Sequence, residues 1–396
     1  MLNEVSCDHR RKYIPPNFID LTVGIFTSID GTPVNSTRER VSKIVRSLGL
    51  RPNLSQTVLA MSMEHCKLQT HVPKITVSVY VPAGGETMLD RQTFTGPWAG
   101  LPVAWSEDDT FDEETFRADV ARCCNAGIPG VYSGGTSGEF YAMELAEFQQ
   151  ISQCLIDTCH QHDRPAMIGC TATYTRGAMQ RVEMAAQMGA DAIQVALPFW
   201  LQVGEEQVVP FFRDIARAAG DLPVSIYETT RAKKVLTLAQ HKAIKDAVPG
   251  YVMVKANDGT IGSTAEGCEA LSAFVNVFVS EHRWAQLGPL GAAGSCSALV
   301  YWNPRMTLQL WEHMRQGRWD ALAAMAPKFT ELNDFLSAQF APRGFTDTAY
   351  DRMGGRASGF LRTSLRNRAP YPSATLEDVE RLQSWFEEHF PEMLQL

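Results

Sequence analysis

Tyr251-Val252-Met253-Val254-Lys255-Ala256-Asn257-Asp258-Gly259 is an apolar run that ends on a single charge and then breaks into turn residues. So short a run, stopped by a turn, reads as a buried parallel strand that delivers its last side chain to the top of a sheet. A buried ammonium is costly to desolvate. A lysine there is therefore either paired or has its pKa lowered until the amine can attack a carbonyl, which is Schiff-base chemistry. Two other readings stay open on this strand alone: Lys255 snorkels to solvent, or it pairs with Asp258.

Working outward from this run, one phrase repeats from about residue 100: a short apolar strand, a polar or glycine-rich turn, an amphipathic helix and a Gly-rich return. The strands read at 101–105, 130–134, 166–170, 192–197, 224–227, 251–255, 275–280 and 295–300. Helices are expected between them. Over 112–125, Phe116, Val120 and Cys124 recur at fourfold spacing, and over 143–159, Leu145, Phe148, Ile151 and Leu155 make one apolar stripe. Eight strand–helix units in roughly 200 to 220 residues predict an α/β chain folded as a (β/α)8 TIM barrel, with catalytic groups at the C-terminal ends of its strands. Lys255 ends the sixth.

The barrel is expected over 96–316. After it, 317–396 reads as a C-terminal helical region: a helix over 319–341, a Gly/Arg-rich middle around Met353-Gly354-Gly355, and a helix over 376–390 capped by Ser373 or Thr375. Residues 1–95 form an N-terminal extension of unassigned role, with a helical stretch at 37–48 and an alternating, strand-like run at 74–81.

Composition narrows the function classes. The 396 residues are 45% hydrophobic and 20% charged, an ordinary enzyme composition, and the net charge of −8 leaves no basic footprint for nucleic acid. The apolar runs are too short to span a membrane and the N-terminus lacks a secretory pattern, so a cytoplasmic protein is expected, with no membrane partner. Nine cysteines, an odd number, fit reduced thiols. Cys154, Cys159, His160 and His162 invite a zinc reading. On a helix, however, Cys154 and Cys159 point to different faces, and no metal site is expected.

Other strand ends carry chemistry. The second strand runs into Ser133-Gly134-Gly135-Thr136-Ser137-Gly138-Glu139, where glycines let the backbone approach a ligand and amides and hydroxyls at a helix start suit a carboxylate. A tight turn capped by Ser137 is the plainer reading. Tyr227 ends the strand before Lys255, where a phenol can pass protons to and from a carbinolamine; a core tyrosine is the alternative.

Gly135-Thr136-Ser137-Gly138-Glu139, Tyr227 and Lys255, in this order and spacing, resemble the dihydrodipicolinate synthase and N-acetylneuraminate lyase family, Schiff-base class I pyruvate lyases and aldolases on a (β/α)8 barrel. The resemblance spans about residues 95–394. It implies Lys255 as the imine-forming nucleophile, Tyr227 as the proton relay, and Thr136 and Ser137 as hydroxyls that hold a pyruvate carboxylate, with Gly135 and Gly138 shaping the turn. It also implies a small 2-oxo acid such as pyruvate as substrate, a covalent imine in place of any cofactor, and a homo-oligomer, dimer or tetramer.

Two segments depart from the family pattern. Where the synthase ends its fourth strand in a tyrosine pair, this chain has Leu197-Pro198-Phe199-Trp200. Trp200 there resembles the hydratase-aldolases that take bulky pyruvate adducts, as an aromatic wall or else as core. Tyr227-Glu228-Thr229-Thr230-Arg231-Ala232 lacks the synthase's proline and places Arg231 one position early, which puts a dicarboxylate-binding role in doubt. Glu281, His282, Asn257, Asp258 and Thr173 stand near strand ends as further candidates for substrate contact; for Glu281 and His282 a solvated loop is the alternative. The leading expectation is a pyruvate-dependent lyase or aldolase. The alternatives are dihydrodipicolinate synthase itself or a dehydratase or deaminase using the same imine, and, from another class, a non-catalytic ligand-binding barrel.

Overall fold

A computed structural model describes residues 89–396 in full and the backbone of Phe18–Gly24 and Lys74–Tyr80. The chain divides into two compact units, Met1–Thr87 and Met88–Leu396. In the first, β1 (Phe18–Gly24) and β2 (Lys74–Tyr80) pair antiparallel, Phe18 opposite Tyr80 and Gly24 opposite Lys74. The strand expected over 74–81 is thus observed, whereas the helix expected over 37–48 lies outside the described residues.

The second unit is built on eight parallel strands: β3 (Gly96–Gly100), β4 (Gly130–Ser133), β5 (Ala166–Gly169), β6 (Ala192–Val195), β7 (Val224–Glu228), β8 (Tyr251–Ala256), β9 (Asn276–Phe278) and β10 (Ala292–Ser295). Each pairs with the next in chain order, and β10 returns to β3 with Gly294 opposite Gly96, so the sheet closes into a (β/α)8 barrel. Phe94, Trp98, Tyr132, Met167, Met253 and Phe278 fill its interior. A larger apolar layer lies between the strands and the surrounding helices.

The first and last strands differ from the sequence reading. The first is Gly96–Gly100, five residues ahead of the apolar 101–105, and the last is Ala292–Ser295 instead of 295–300. Apart from Trp98, which turns into the barrel interior, both consist of small residues and turn-formers, and a Cβ on Gly294 would lie 2.8 Å from the Phe278 ring; the apolar runs that follow them are a buried loop and a short helix, Leu299–Trp302. The barrel unit also begins earlier than residue 96. Asn276 Nδ2 donates to the carbonyls of Arg91 (2.9 Å) and Phe94 (2.7 Å), tying 90–95 to the start of β9.

Downstream, the helix expected over 319–341 is two, Trp319–Ala323 and Ala326–Phe340. Pro327 explains the restart, since proline has no N–H to continue a helix but suits a first turn. The Gly/Arg-rich middle is itself helical, Asp347–Ala357, and Gly354 leaves room there for the Trp302 ring. Leu376–His389 starts at a capping box: Thr375 Oγ1 accepts from the Asp378 N–H (3.3 Å) and Asp378 Oδ2 from the Thr375 N–H (2.7 Å). Ser373, the other candidate cap, accepts from the Asn367 N–H instead. Cys154 and Cys159 are buried in the apolar layer. Among the described residues, no helix is long and apolar enough to cross a membrane.

Asp119, buried on the helix Glu113–Asn125, accepts the N–H of Arg362 and of Thr363, both at 2.8 Å, and so fastens the C-terminal region to the barrel. Burial pushes its carboxyl up to about 6 against these two bonds. In Asp119→Ala a buried and a half-buried donor lose their acceptor, an expected loss of about 1–3 kcal/mol read from the urea midpoint. The folded value lies above that of the unfolded chain, so between about pH 4 and 6 the native state holds the extra proton, and stability falls as pH rises through that window. Asp119→Asn should flatten that slope.

Candidate active site

The turn after β4 does not stand at the start of an α-helix, as expected from sequence. A 3₁₀ turn, Phe140–Ala142, follows it, and the helix Leu145–Gln161 begins only after the capping residue Glu144. What fixes the turn is Glu139, a left-handed residue (φ 53°) with a fully buried side chain. Its carboxylate accepts from Trp105 Nε1 (2.6 Å) and the Arg368 N–H (3.0 Å) and pairs with the equally buried Arg352. Gly138 lies so close to the start of the turn that a Cβ there would sit 2.5 Å from the Gly134 nitrogen, and Gly135 is buried beside Tyr132. The turn is thus held folded on itself, with the Thr136 hydroxyl on the cleft side.

Tyr227 and Lys255 are register partners on β7 and β8. The Tyr227 hydroxyl shares a hydrogen bond with Thr136 Oγ1 (3.1 Å) and accepts one from Asn257 Nδ2 (3.3 Å). Lys255 Nζ lies 4.6 Å from the centre of the Tyr227 ring and donates to the Tyr132 hydroxyl at 2.9 Å. Lys255, Tyr227 and Thr136 are therefore brought together. Asp258, the alternative partner, is exposed, and the amine is held by a phenol.

Burial works against the ammonium of Lys255, while negative charge on Tyr132, Tyr227 and Cys296 would hold it up, and the net direction is upward. Burial also raises the Tyr132 phenol and brings the Cys296 thiol to about 12. Those two groups are uncharged at neutral pH, so their support for the ammonium belongs to alkaline solution. Near pH 7 what remains is the hydrogen bond to Tyr132, which supports the ammonium, set against burial, which favours the neutral amine.

A cleft of about 380 Å³ opens onto Tyr227, Thr136 and Thr171. Its sides are aromatic: Phe140 meets Phe199 edge-on at 5.6 Å, and Tyr141 meets Tyr371 at 5.0 Å. Arg231 is on its rim, held by Asp347 through two 2.9 Å bonds, and that pairing raises the guanidinium further. Ser137 does not line the cleft; its hydroxyl bears instead on Tyr301, on the short helix Leu299–Trp302, and on Asp351, on the helix Asp347–Ala357. Burial first, then Asp347, push the Asp351 carboxyl up to about 7, and Ser137 opposes them.

Four candidates fall elsewhere. Trp200 is 73% exposed, with Lys233 Nζ over its ring and on its carbonyl, and the aromatic wall expected of it is provided by Phe199. Neither solvated loop nor cleft describes Glu281: its buried carboxylate accepts from Ser295 Oγ (2.6 Å) and from Ser297 Oγ (2.6 and 2.7 Å). His282 stands next to it, outside the cleft lining. Thr173 is exposed, and Thr171 two residues earlier lines the cleft. Tyr132 carried a signal that the sequence reading passed over: a tyrosine near a strand end with glycines at 130, 134 and 135. Asp347, Asp351 and Tyr371 carried none, lying more than 90 residues beyond Lys255.

A lysine and a phenol side by side on adjacent strands, beneath a cleft at the C-terminal face of a (β/α)8 barrel, define a barrel enzyme of the lyase class. A sequence model of the dihydrodipicolinate synthetase family matches residues 93–383, and the chain belongs to that family. It is 25% identical over 289 residues to the 4-hydroxy-tetrahydrodipicolinate synthase of Methanothrix thermoacetophila, covering 72% of this chain and 96% of that one. Over 156 residues it is 29% identical to a trans-O-hydroxybenzylidenepyruvate hydratase-aldolase of Sphingobium xenophagum, covering 37% and 47%. Among solved structures, YagE from Escherichia coli K12, in complex with pyruvate, superposes with a TM-score of 0.68 at 20% identity, covering 74% of this chain and 98% of that one.

Proposed function

We propose that this enzyme makes or cleaves a carbon–carbon bond in a pyruvate-derived 2-oxo acid through an imine on Lys255. The observation that carries the reading is the contact of Lys255 with Tyr227, whose hydroxyl is in turn bound to Thr136 at 3.1 Å. The amine lone pair adds to the keto carbon, and the oxygen takes a proton from Tyr227 through the Thr136 bond. The nitrogen then gives up one proton to the Tyr227 oxygen, Tyr227 passes it to the carbinolamine hydroxyl, which leaves as water, and the resulting protonated imine accepts the electron pair of the breaking bond as an enamine. No cofactor is needed. The aromatic sides of the cleft favour a flat, bulky partner for the pyruvate unit, as in the hydratase-aldolase relative, over a second carboxylate, because Arg231 is already occupied by Asp347.

Incubation with pyruvate and borohydride, followed by intact-mass measurement, tests the imine; an unchanged mass sinks it. Turnover of aspartate semialdehyde with pyruvate, and of no aromatic 2-oxo acid, would show the synthase reading to be the right one. In Tyr227→Phe the ring contact with Lys255 survives but the relay proton is gone. Its kcat is expected to fall by about two to four decades with the fold unchanged, and a wild-type rate would remove Tyr227 from the mechanism. Assembly as a homo-oligomer, part of the same proposal, is read by light scattering.

A further inference from the structure

Resting on the imine reading, we propose that Tyr132 is a positioning residue for Lys255, its phenol oxygen fixing the direction in which the amine presents its lone pair. Tyr132 is buried in the barrel interior among Trp98, Met167, Met253 and Phe278. A buried phenol must find a hydrogen-bond partner, and this one finds the Lys255 amine at 2.9 Å.

The barrel wall is cut to admit that hydroxyl. Gly100 is the register partner of Tyr132 on β3, and a Cβ at position 100 would lie 2.5 Å from the phenol oxygen. On the other side, a Cβ at Gly135 would lie 3.1 Å from the ring edge. Any side chain at 100 would displace the group that receives the amine proton.

The geometry has a direct chemical consequence. A neutral primary amine has two N–H bonds and one lone pair. Anchoring one N–H on Tyr132, with the Tyr227 ring face at 4.6 Å, stops free rotation about the last bond of the lysine. With one N–H on Tyr132 and the other over the Tyr227 ring, the lone pair is left in the single remaining direction, the one from which the keto carbon must approach. When Nζ bonds to the keto carbon, the carbonyl π pair moves to oxygen and takes the proton from Tyr227. Tyr132 keeps its own proton throughout and only accepts. Its share of the barrier is therefore orientational.

The test is the rate of imine formation, followed by rapid quench into borohydride and intact mass across a pH series, for wild type, Tyr132→Phe and Gly100→Ala. Tyr132→Phe keeps the ring and its packing, so its thermal midpoint should stay close to wild type. Its plateau rate should fall about 10- to 100-fold. The pH midpoint should also move down, because the ammonium has lost an acceptor, and a merely structural role would not shift it. Gly100→Ala, which leaves the phenol chemistry intact but pushes its oxygen aside, should show the same slowing. A wild-type rate and pH midpoint in Tyr132→Phe, or a wild-type rate in Gly100→Ala, overturns the proposal. If the wild type itself is not trapped by pyruvate and borohydride, the imine reading fails and this inference fails with it.

Discussion

Lys255→Ala is expected to lower kcat by about four to six decades, to the residue that positioning alone provides. No neighbouring group can take over. The side chains around Lys255 and Tyr227 are phenols, a threonine, an amide and the Cys296 thiol, none of which forms an imine. Removing the amine leaves the Tyr132 hydroxyl without its partner, a stability cost of only about 1 kcal/mol. The variant should thus remain folded and still bind substrate in the aromatic cleft. Peptide mapping of the wild-type adduct after reduction should find the added mass on the peptide containing Lys255. An adduct of the same yield in Lys255→Ala would assign the nucleophile elsewhere.

Glu139→Gln should be among the most destabilising single changes away from the reacting groups. Both Glu139 and Arg352 are fully buried, and Arg352 also donates to Asn367 Oδ1 (3.1 Å) and Thr363 Oγ1 (3.0 Å). Neutralising the carboxyl leaves a guanidinium in the protein interior without a counter-charge, a loss of about 3–5 kcal/mol, out of the 5–15 kcal/mol typical of a folded domain. Denaturant midpoints measure it. Arg352→Met should cost a similar amount, and combining the two should cost less than their sum, because neither partner is then left charged and alone. Additive losses would mean that the pair is not what holds the turn. Thr136 sits on that turn, so activity is expected to drop below the melting transition in both single variants.

The sequence was most legible where one physical demand dominated. A strand ending in a lone charge located Lys255, and strand-to-strand order placed Tyr227 beside it. The barrel's repeat was equally plain, apart from its seam. There β3 and β10 are glycine, proline, alanine and serine apart from Trp98, which itself fills the interior with Phe278, and an apolar-run criterion slides onto the buried segments that follow. Glu139 was read as part of a ligand-binding turn, whereas its partners, Arg352 and Arg368, lie over 200 residues away and give no local sign. Trp200 was misjudged for a related reason. Composition names an aromatic at a strand end but not which of Phe199 and Trp200 turns inward.

The cleft is assembled from two stretches of chain that are far apart in sequence. The reacting groups come from β4, β7 and β8, while Phe345, Asp347 and Tyr371, which close its outer side, come from the C-terminal region. Arg231 and Asp347 join the two across the rim. On the proposed mechanism, bond-making rests on the barrel strands alone, whereas the cleft wall is shared between barrel loops and the C-terminal region, a separate passage of the gene. Drift in that passage can retune what the enzyme accepts while the strands are left untouched.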